Sequence, residues 1–119
     1  MQTQEREGLT LNEAVLVVLE ADGELDMATA PQLRERMRAA VAAGARDVVL
    51  DLTTVTFMDS VAMAAILHVR RDLGPGGRLA VVVPRDSYPY LVLEIAGLPT
   101  CLDLFDTREE AVAHLAVRP

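Results

Sequence analysis

The order of apolar and polar positions along the chain predicts strands that alternate with helices. Residues 15–21 form an apolar run rich in β-branched side chains, and residues 48–52 and 79–83 form two more. Glu20 and Asp51 are the only charged residues in these runs, and largely apolar runs of this length are typical of strands that are buried on both faces. Residues 9–11 predict a further short strand near the start, and residues 101–105 predict the last one.

Polar residues suited to capping precede four stretches that carry a helical repeat of apolar residues. Serine, threonine and aspartate accept hydrogen bonds from the unpaired N–H groups of a helix's first turn. A glutamine or glutamate three residues after such a cap completes a capping box. The predicted caps are Thr29 with Gln32, Asp59 or Ser60, Ser87, and Thr107 with Glu110.

These elements predict an α/β fold with a mixed, mainly parallel sheet of four or five strands and about four helices. Asp22 and Gly23 are expected to end the first long strand, and the glycine-rich residues 74–77 are expected to end the second helix. If consecutive strands are neighbours in the sheet, right-handed crossovers place every helix on the same face of it.

The composition indicates one domain with an aliphatic core. Of the 119 residues, 51% are hydrophobic but only 3% are aromatic, so aliphatic side chains and methionine must fill the core. We expect residues 9–117 to form this domain after a flexible tail of residues 1–8. No apolar stretch approaches the roughly 18 residues that cross a membrane, and the polar start lacks a signal region. We therefore expect a soluble, cytoplasmic protein.

Charge and side-chain chemistry argue against several classes of function. A formal net charge of −7 opposes binding to nucleic acid and to anionic lipid. Cys101 is the only cysteine, which excludes an internal disulfide and a cysteine-based metal cluster, and we expect it to lie in the core. His68 and His114 are far apart in sequence, and His68 is expected on an exposed helix face, so they predict no metal site.

The sequence also lacks the marks of an active site. Ser60 is not part of a Gly-x-Ser-x-Gly motif, and no motif links it to a histidine. Residues 74–77 follow a helix and precede a strand, which is the reverse of the order in a phosphate-binding loop. We therefore predict a binding module that has no catalytic residues, no metal and no cofactor.

Asp59 and Ser60 are the most informative pair, because one modification there would change the local charge. The simplest interpretation is that both residues only cap a helix. The alternative is phosphorylation of Ser60, which would add a charge of about −1.5 to −2 beside Asp59. The positive end of the helix dipole tolerates a phosphate, so the fold would persist while an apolar or anionic partner would be expelled.

Three segments of the chain resemble the STAS domain of anti-sigma factor antagonists, also called anti-anti-sigma factors. Residues 23–26 (Gly-Glu-Leu-Asp) follow the first long strand, and residues 93–98 (Leu-Glu-Ile-Ala-Gly-Leu) precede the last one. Between them, residues 49–60 end in Phe57-Met58-Asp59-Ser60, which is similar to the family's phosphoacceptor loop. The resemblance covers about residues 9–117 and implies the STAS fold.

In this family the serine or threonine after the aspartate is phosphorylated by the partner, an anti-sigma factor that is also a serine kinase. The unphosphorylated antagonist binds the partner and frees a sigma factor; phosphorylation breaks the complex, and a phosphatase resets it. The resemblance thus implies that Ser60 is the phosphoacceptor in a bacterial partner-switching pathway that regulates transcription under stress. It also implies a partner-binding surface made by Asp26, Asp59, Ser60, Val61, Ala62 and Met63.

The chain departs from the family pattern at Ala62, where the family has glycine. A methyl group at this position is expected to hinder the close approach of another backbone to the serine. Two other functions are compatible with the sequence. One is an accessory subunit of a membrane transporter, like those of lipid-transport ABC systems, and the other is a STAS module that binds its partner without phosphorylation.

Overall fold

The computed structural model describes residues 9–11 and 14–117, and within these ranges five strands form one sheet. The strands lie in chain order across the sheet. The first two pair antiparallel, and every later pair of neighbours is parallel. The predicted tail, residues 1–8, lies outside the described residues. The strands are β1 (Leu9–Leu11), β2 (Ala14–Leu25), β3 (Asp47–Met58), β4 (Arg78–Val82) and β5 (Asp103–Phe105).

Helices connect the parallel strands, which confirms the predicted mixed, mainly parallel α/β fold. The first three α-helices each link one parallel strand to the next, and the fourth follows the last strand. A short 3₁₀ turn, Leu98–Thr100, precedes β5. The α-helices are α1 (Ala30–Ala42), α2 (Ser60–Leu73), α3 (Tyr88–Ile95) and α4 (Arg108–Ala116).

The core has two parts, one on each face of the sheet. The larger part joins β2, β3 and β4 to the first three helices, and the smaller part joins β3 and β4 to α4 through Val49, Ala80, Val82, Ala111 and Leu115. The prediction that every helix lies on one face is therefore wrong for α4. The handedness rule applies to helices that connect two parallel strands. Because α4 follows the last strand, it is free to cover the second apolar face of the sheet.

Strands β2 and β3 are longer than their apolar runs predict. The prediction that Asp22 and Gly23 end the first long strand is wrong, because pairing with β3 continues to Leu25 opposite Met58. The register shifts on either side of this dipeptide, and Gly23 has a φ of 69°, a value that suits glycine in a bulge. As a result the two strands end side by side, and the loops that follow them meet.

Three of the predicted helix caps form hydrogen bonds, and one does not. Asp59, Ser87 and Thr107 each accept an N–H of the first turn of α2, α3 and α4, respectively. The capping box predicted at Thr29 is wrong, because the Thr29 hydroxyl donates instead to the Glu24 carbonyl oxygen, 2.7 Å away. Thr29 thus ties the start of α1 back to the end of β2.

Two further predictions concern exposure. Cys101 is exposed, and the buried residue beside it is Leu102, because β5 begins only at Asp103. The expectation that Cys101 lies in the core is therefore wrong. His68 is half-buried rather than exposed, and its Nδ1 lies 3.0 Å from a guanidinium nitrogen of Arg34.

None of the helices in the described part of the chain is long and apolar enough to cross a membrane.

Candidate docking site

Asp59 links the two loops that follow β2 and β3. Its backbone N–H donates to the Leu25 carbonyl oxygen at 3.1 Å, which holds the end of β3 against the end of β2. One carboxylate oxygen accepts the Ala62 N–H at 3.0 Å, and the other accepts the Met27 N–H at 3.1 Å. Asp59 is therefore both the cap of α2 and the contact that holds the neighbouring loop in place.

Ser60 is the first residue of α2, and its side chain is exposed. Among residues 9–11 and 14–117, no group forms a hydrogen bond with its hydroxyl. The interpretation that Asp59 and Ser60 both cap the helix is wrong for Ser60, since the helix uses only the aspartate. The Ser60 hydroxyl is thus accessible for modification without the loss of a structural hydrogen bond.

Asp26 lies in the loop that contacts Asp59, at the same end of the sheet as Ser60. Its carboxylate Oδ1 accepts the backbone N–H groups of Ala28 at 2.9 Å and Thr29 at 3.1 Å. These bonds fix the loop whose Met27 N–H reaches Asp59. The half-buried Asp26 side chain therefore shapes the loop, and its remaining carboxylate oxygen is the one available to a partner.

Exposed apolar side chains lie next to Ser60 along the chain and on the neighbouring loop. Met27 is 70% exposed and Val61 is 41% exposed. Phe57 stacks on Tyr88 of α3, with ring centroids 5.7 Å apart and an interplanar angle of 12°. Both rings are also exposed to solvent. We call Met27, Phe57, Ser60, Val61 and Tyr88 the Ser60 surface.

Sequence reasoning missed Met27, Phe57 and Tyr88 as members of this surface. The alternation of exposed Phe57 with buried Met58 near the end of β3 is a signal that could have identified the first ring. The stacking partner could not have been identified in this way, because Tyr88 is thirty-one positions away in sequence. Large exposed apolar groups are common at protein–protein contacts, where aromatic residues and methionine are enriched.

Ala62 and Met63 are less exposed to solvent than Val61. Ala62 is 0% exposed and belongs to the larger core, while Met63 is half-buried and packs against it. The Ala62 methyl group therefore does not project towards a partner, and the expectation that it hinders the approach of another backbone is wrong. The alanine that stands here in place of the family's glycine adds its methyl group to the core beneath the helix.

Asp51 and Arg108 form an ion pair that holds α4 to the sheet. The buried Asp51 carboxylate accepts the Arg108 Nε–H at 3.0 Å and the Thr53 N–H at 2.9 Å, and Arg108 also pairs with Glu20. Burial alone would raise the pKa of Asp51, but the hydrogen bonds from Thr53 and Arg108 outweigh it and lower the pKa below its ordinary value. The pair therefore stabilises the fold above about pH 4, and this contribution is lost as the pH falls further.

The described residues contain no group of three or more histidine, cysteine, aspartate or glutamate side chains arranged to hold a metal ion. The Ser60 surface instead combines the Ser60 hydroxyl with exposed apolar side chains, and it lies next to the Asp59 carboxylate, which is already hydrogen-bonded. Such an arrangement is suited to contact with another protein.

The sequence matches a family model described as the STAS domain over residues 1–111. A curated relative, the anti-sigma-F factor antagonist RsfB of Mycobacterium tuberculosis, is 30% identical over 97 residues. The match covers 82% of this chain and 79% of that relative.

Solved structures give the same result for the fold. An anti-sigma factor antagonist from Mycobacterium paratuberculosis superposes with a TM-score of 0.80 at 24% identity, over 98% of this chain and 100% of that one. The Bacillus cell fate determinant SpoIIAA, solved in its phosphorylated form, superposes with a TM-score of 0.61 at 25% identity. That match covers 84% of this chain and 90% of the Bacillus chain.

Proposed function

This chain belongs to the STAS domain family, and from that premise and its homology to anti-sigma factor antagonists we propose that it binds an anti-sigma factor and thereby frees a sigma factor. The observation that carries the proposal is the Ser60 surface, in which the exposed Ser60 is followed by exposed Val61 and the loop bonded to Asp59 carries exposed Met27. Binding through this surface requires no catalytic group on the antagonist itself.

We propose further that the anti-sigma factor is a serine kinase, that it phosphorylates Ser60, and that a phosphatase reverses the reaction. The Ser60 hydroxyl is exposed and has no hydrogen-bond partner within the described residues, so a kinase can reach it without breaking a native contact. The existence of a phosphorylated form of Bacillus SpoIIAA supports regulation of this kind in a protein of the same fold.

Phosphorylation would break the complex but not the fold. The cap of α2 comes from Asp59, and the N-terminus of a helix favours an added negative charge. The phosphate would carry a charge of about −1.5 to −2 next to exposed Val61 and close to the Asp59 carboxylate. A partner whose apolar groups cover this position would have to remove water from that charge, which is energetically costly.

The test is a phosphorylation assay with the purified protein, ATP and the anti-sigma factor kinase encoded in the same genome. The chain has only two serines, Ser60 and Ser87, so mass spectrometry of the tryptic fragments distinguishes them. We expect phosphate on Ser60 in the wild type and none in Ser60→Ala, while Ser87→Ala is still phosphorylated. Phosphate on Ser87, or on Thr53, Thr54 or Thr56 of the Ser60 fragment, would contradict the assignment of the site.

The consequence of phosphorylation is tested by isothermal titration calorimetry of the same two proteins. We expect tight binding of the unphosphorylated protein and at least about a hundredfold weaker binding of the phosphorylated one, a difference of about 2.7 kcal/mol. Equal binding of both forms would indicate a STAS module that acts independently of phosphorylation. Failure of the unphosphorylated protein to bind any anti-sigma factor would contradict the proposed function as a whole.

A further inference from the structure

A shallow groove of about 390 Å³ runs between α1 and α2, starting beside the phosphoacceptor position. On α2 the lining residues recur at intervals of three or four positions, so they lie on one face of the helix. The first of them is Val61, directly after Ser60. Small side chains make up much of the floor, and charged side chains line the α1 side. The groove is lined by Ala30, Pro31, Arg34, Glu35 and Arg38 on α1 and by Val61, Ala64, Ala65 and His68 on α2.

The two helices that form this groove are positively charged, although the chain as a whole carries −7. α1 contains three arginines and one glutamate, and α2 contains two arginines and one aspartate. The acidic residues responsible for the net charge therefore lie mostly elsewhere. Of the acidic and arginine side chains that line the groove itself, Arg34 and Arg38 are positive and Glu35 is negative. This excess of positive charge favours the approach of a negatively charged partner.

Two arginines on the α1 side of the groove differ in their partners. Arg34 is held by His68, whose Nδ1 lies 3.0 Å from its guanidinium, and by Asp72 at 3.7 Å. Within the described residues, the one acidic side chain that Arg38 approaches is Glu35, at 3.7 Å, and both side chains are more than half exposed. An exposed pair of this kind contributes little to stability, so Arg38 can exchange its partner for a carboxylate on another protein.

We infer that this groove binds an acidic amphipathic helix of the partner. The small alanine side chains between α1 and α2 leave room for a third helix to approach closely. Such a helix would pack its apolar face on Val61, Ala64 and Ala65. Carboxylates on the flank of that helix would pair with Arg38 and Arg34. The inference rests on the proposed function for the identity of the partner, an anti-sigma factor, but the preference for an acidic helix can be tested separately.

The position of Ser60 explains why the occupant should be acidic. A phosphate on Ser60 would lie at the end of the groove, one residue before Val61. It would repel carboxylates on a docked helix and attract lysines or arginines. Release on phosphorylation therefore requires an acidic or apolar occupant, and the arginines of α1 select the acidic one.

The test uses the full ¹⁵N-labelled protein and two synthetic helical peptides that share one apolar Leu/Ala face. One peptide carries glutamates on its polar face, and the other carries lysines at the same positions. We expect the acidic peptide to shift the amide resonances of Val61, Ala64 and His68 in a saturable way, and the basic peptide to leave them unchanged. Equal shifts with both peptides, or shifts only at residues outside the groove, would overturn the inference.

Matched variants separate the groove from the general charge of α1. Arg38→Glu should weaken binding of the acidic peptide about tenfold. Arg36→Glu changes the charge equally at an exposed position of the same helix that does not line the groove, and it should have much less effect. Ala64→Glu should also prevent binding, while Ala39→Glu, an exposed alanine of α1 outside the groove, should not. If Arg36→Glu weakens binding as much as Arg38→Glu, the groove does not determine recognition.

The same variants applied to the anti-sigma factor distinguish the two proposals. If the wild type binds no anti-sigma factor, the proposed function fails, and the peptide titration alone decides the inference about the groove. If the wild type binds and Arg38→Glu binds as tightly as Arg36→Glu, the proposed function stands and the groove is not the docking site of that partner.

Discussion

The two serines of this chain both lie at the start of a helix, but they differ in the hydrogen bonds that their hydroxyls form. Ser87 is the cap residue of α3: its hydroxyl donates to the Pro84 carbonyl oxygen at 2.6 Å and accepts the Tyr90 N–H at 3.3 Å. Ser60 is the first residue inside α2, and its hydroxyl has no partner within the described residues. The difference arises because α2 has an aspartate in the cap position, so its serine is not needed for the cap.

This comparison separates a structural serine from one that is free to be modified. Phosphorylation of Ser87 would remove the hydroxyl hydrogen that is donated to the Pro84 carbonyl oxygen, and it would place a phosphate on the atom that accepts the Tyr90 N–H. Phosphorylation of Ser60 would break no hydrogen bond within the described residues. Because Asp59 caps α2, the helix start does not depend on Ser60. The exposed Ser60 can therefore be modified while the helix stays formed.

The largest expected effect is on partner binding when a charge is placed at Ser60. Ser60→Asp should weaken binding of the anti-sigma factor about a hundredfold, because a negative charge then lies beside Asp59 and Val61. Ser60→Asn has nearly the same shape without the charge and should bind within a few-fold of wild type. The measurement is calorimetry at one fixed salt concentration, and equal losses in both variants would point to steric hindrance instead of charge.

The next largest effect is expected on the free energy of unfolding when Asp59, the residue before Ser60, is replaced. Asp59→Ala should lower the free energy of unfolding by roughly 2 kcal/mol, since it removes the cap of α2 and the bond to the Met27 N–H. Ser60→Ala should change it by less than about 0.5 kcal/mol, because the hydroxyl forms no hydrogen bond with any residue that the structure describes. Urea denaturation measures both values. Similar losses for the two variants would show that the serine also supports the helix.

Substitution of the other serine should have a smaller effect on stability and none on the site of modification. Ser87→Ala removes the cap of α3 and should cost about 1 kcal/mol in urea denaturation. Phosphorylation of Ser60 in this variant should proceed at the wild-type rate, measured by incorporation of labelled phosphate. A slower rate would mean that the Ser87 cap is needed to hold Tyr88, a member of the Ser60 surface, in the position that docks the kinase.

A smaller effect than that of Ser87→Ala is expected for Ala62→Gly, which introduces the residue that the family pattern has at this position. Glycine in the first turn of α2 should cost about 0.5–1 kcal/mol through backbone entropy. Because the Ala62 methyl group is fully buried, the rate of Ser60 phosphorylation should not change. An increase in that rate, with unchanged stability, would indicate that the methyl group does affect the approach of the kinase.

Most elements of the fold could be predicted because local signals are sufficient for them. The apolar runs identified β2, β3 and β4, and Ser87 and Thr107 correctly marked helix starts because a cap involves residues within one turn. Prediction failed at Thr29, at Gly23 and at α4. In each case the outcome depends on a contact with another element: the Glu24 carbonyl oxygen, the pairing of β2 with β3, and the second apolar face of the sheet.

For the candidate site, the sequence by itself determined which residues carry the chemistry, and the tertiary structure decided what each of them does. The order Asp59-Ser60 before an apolar helical repeat, the two serines and the absence of lysine are properties of the sequence. That Asp59 binds the Met27 loop, that Ala62 is buried, and that Phe57 meets Tyr88 depend on residues distant in the chain. The physical reason is that a side chain's chemical type is set by the sequence, whereas its hydrogen-bond partners and its exposure are set by the elements packed around it.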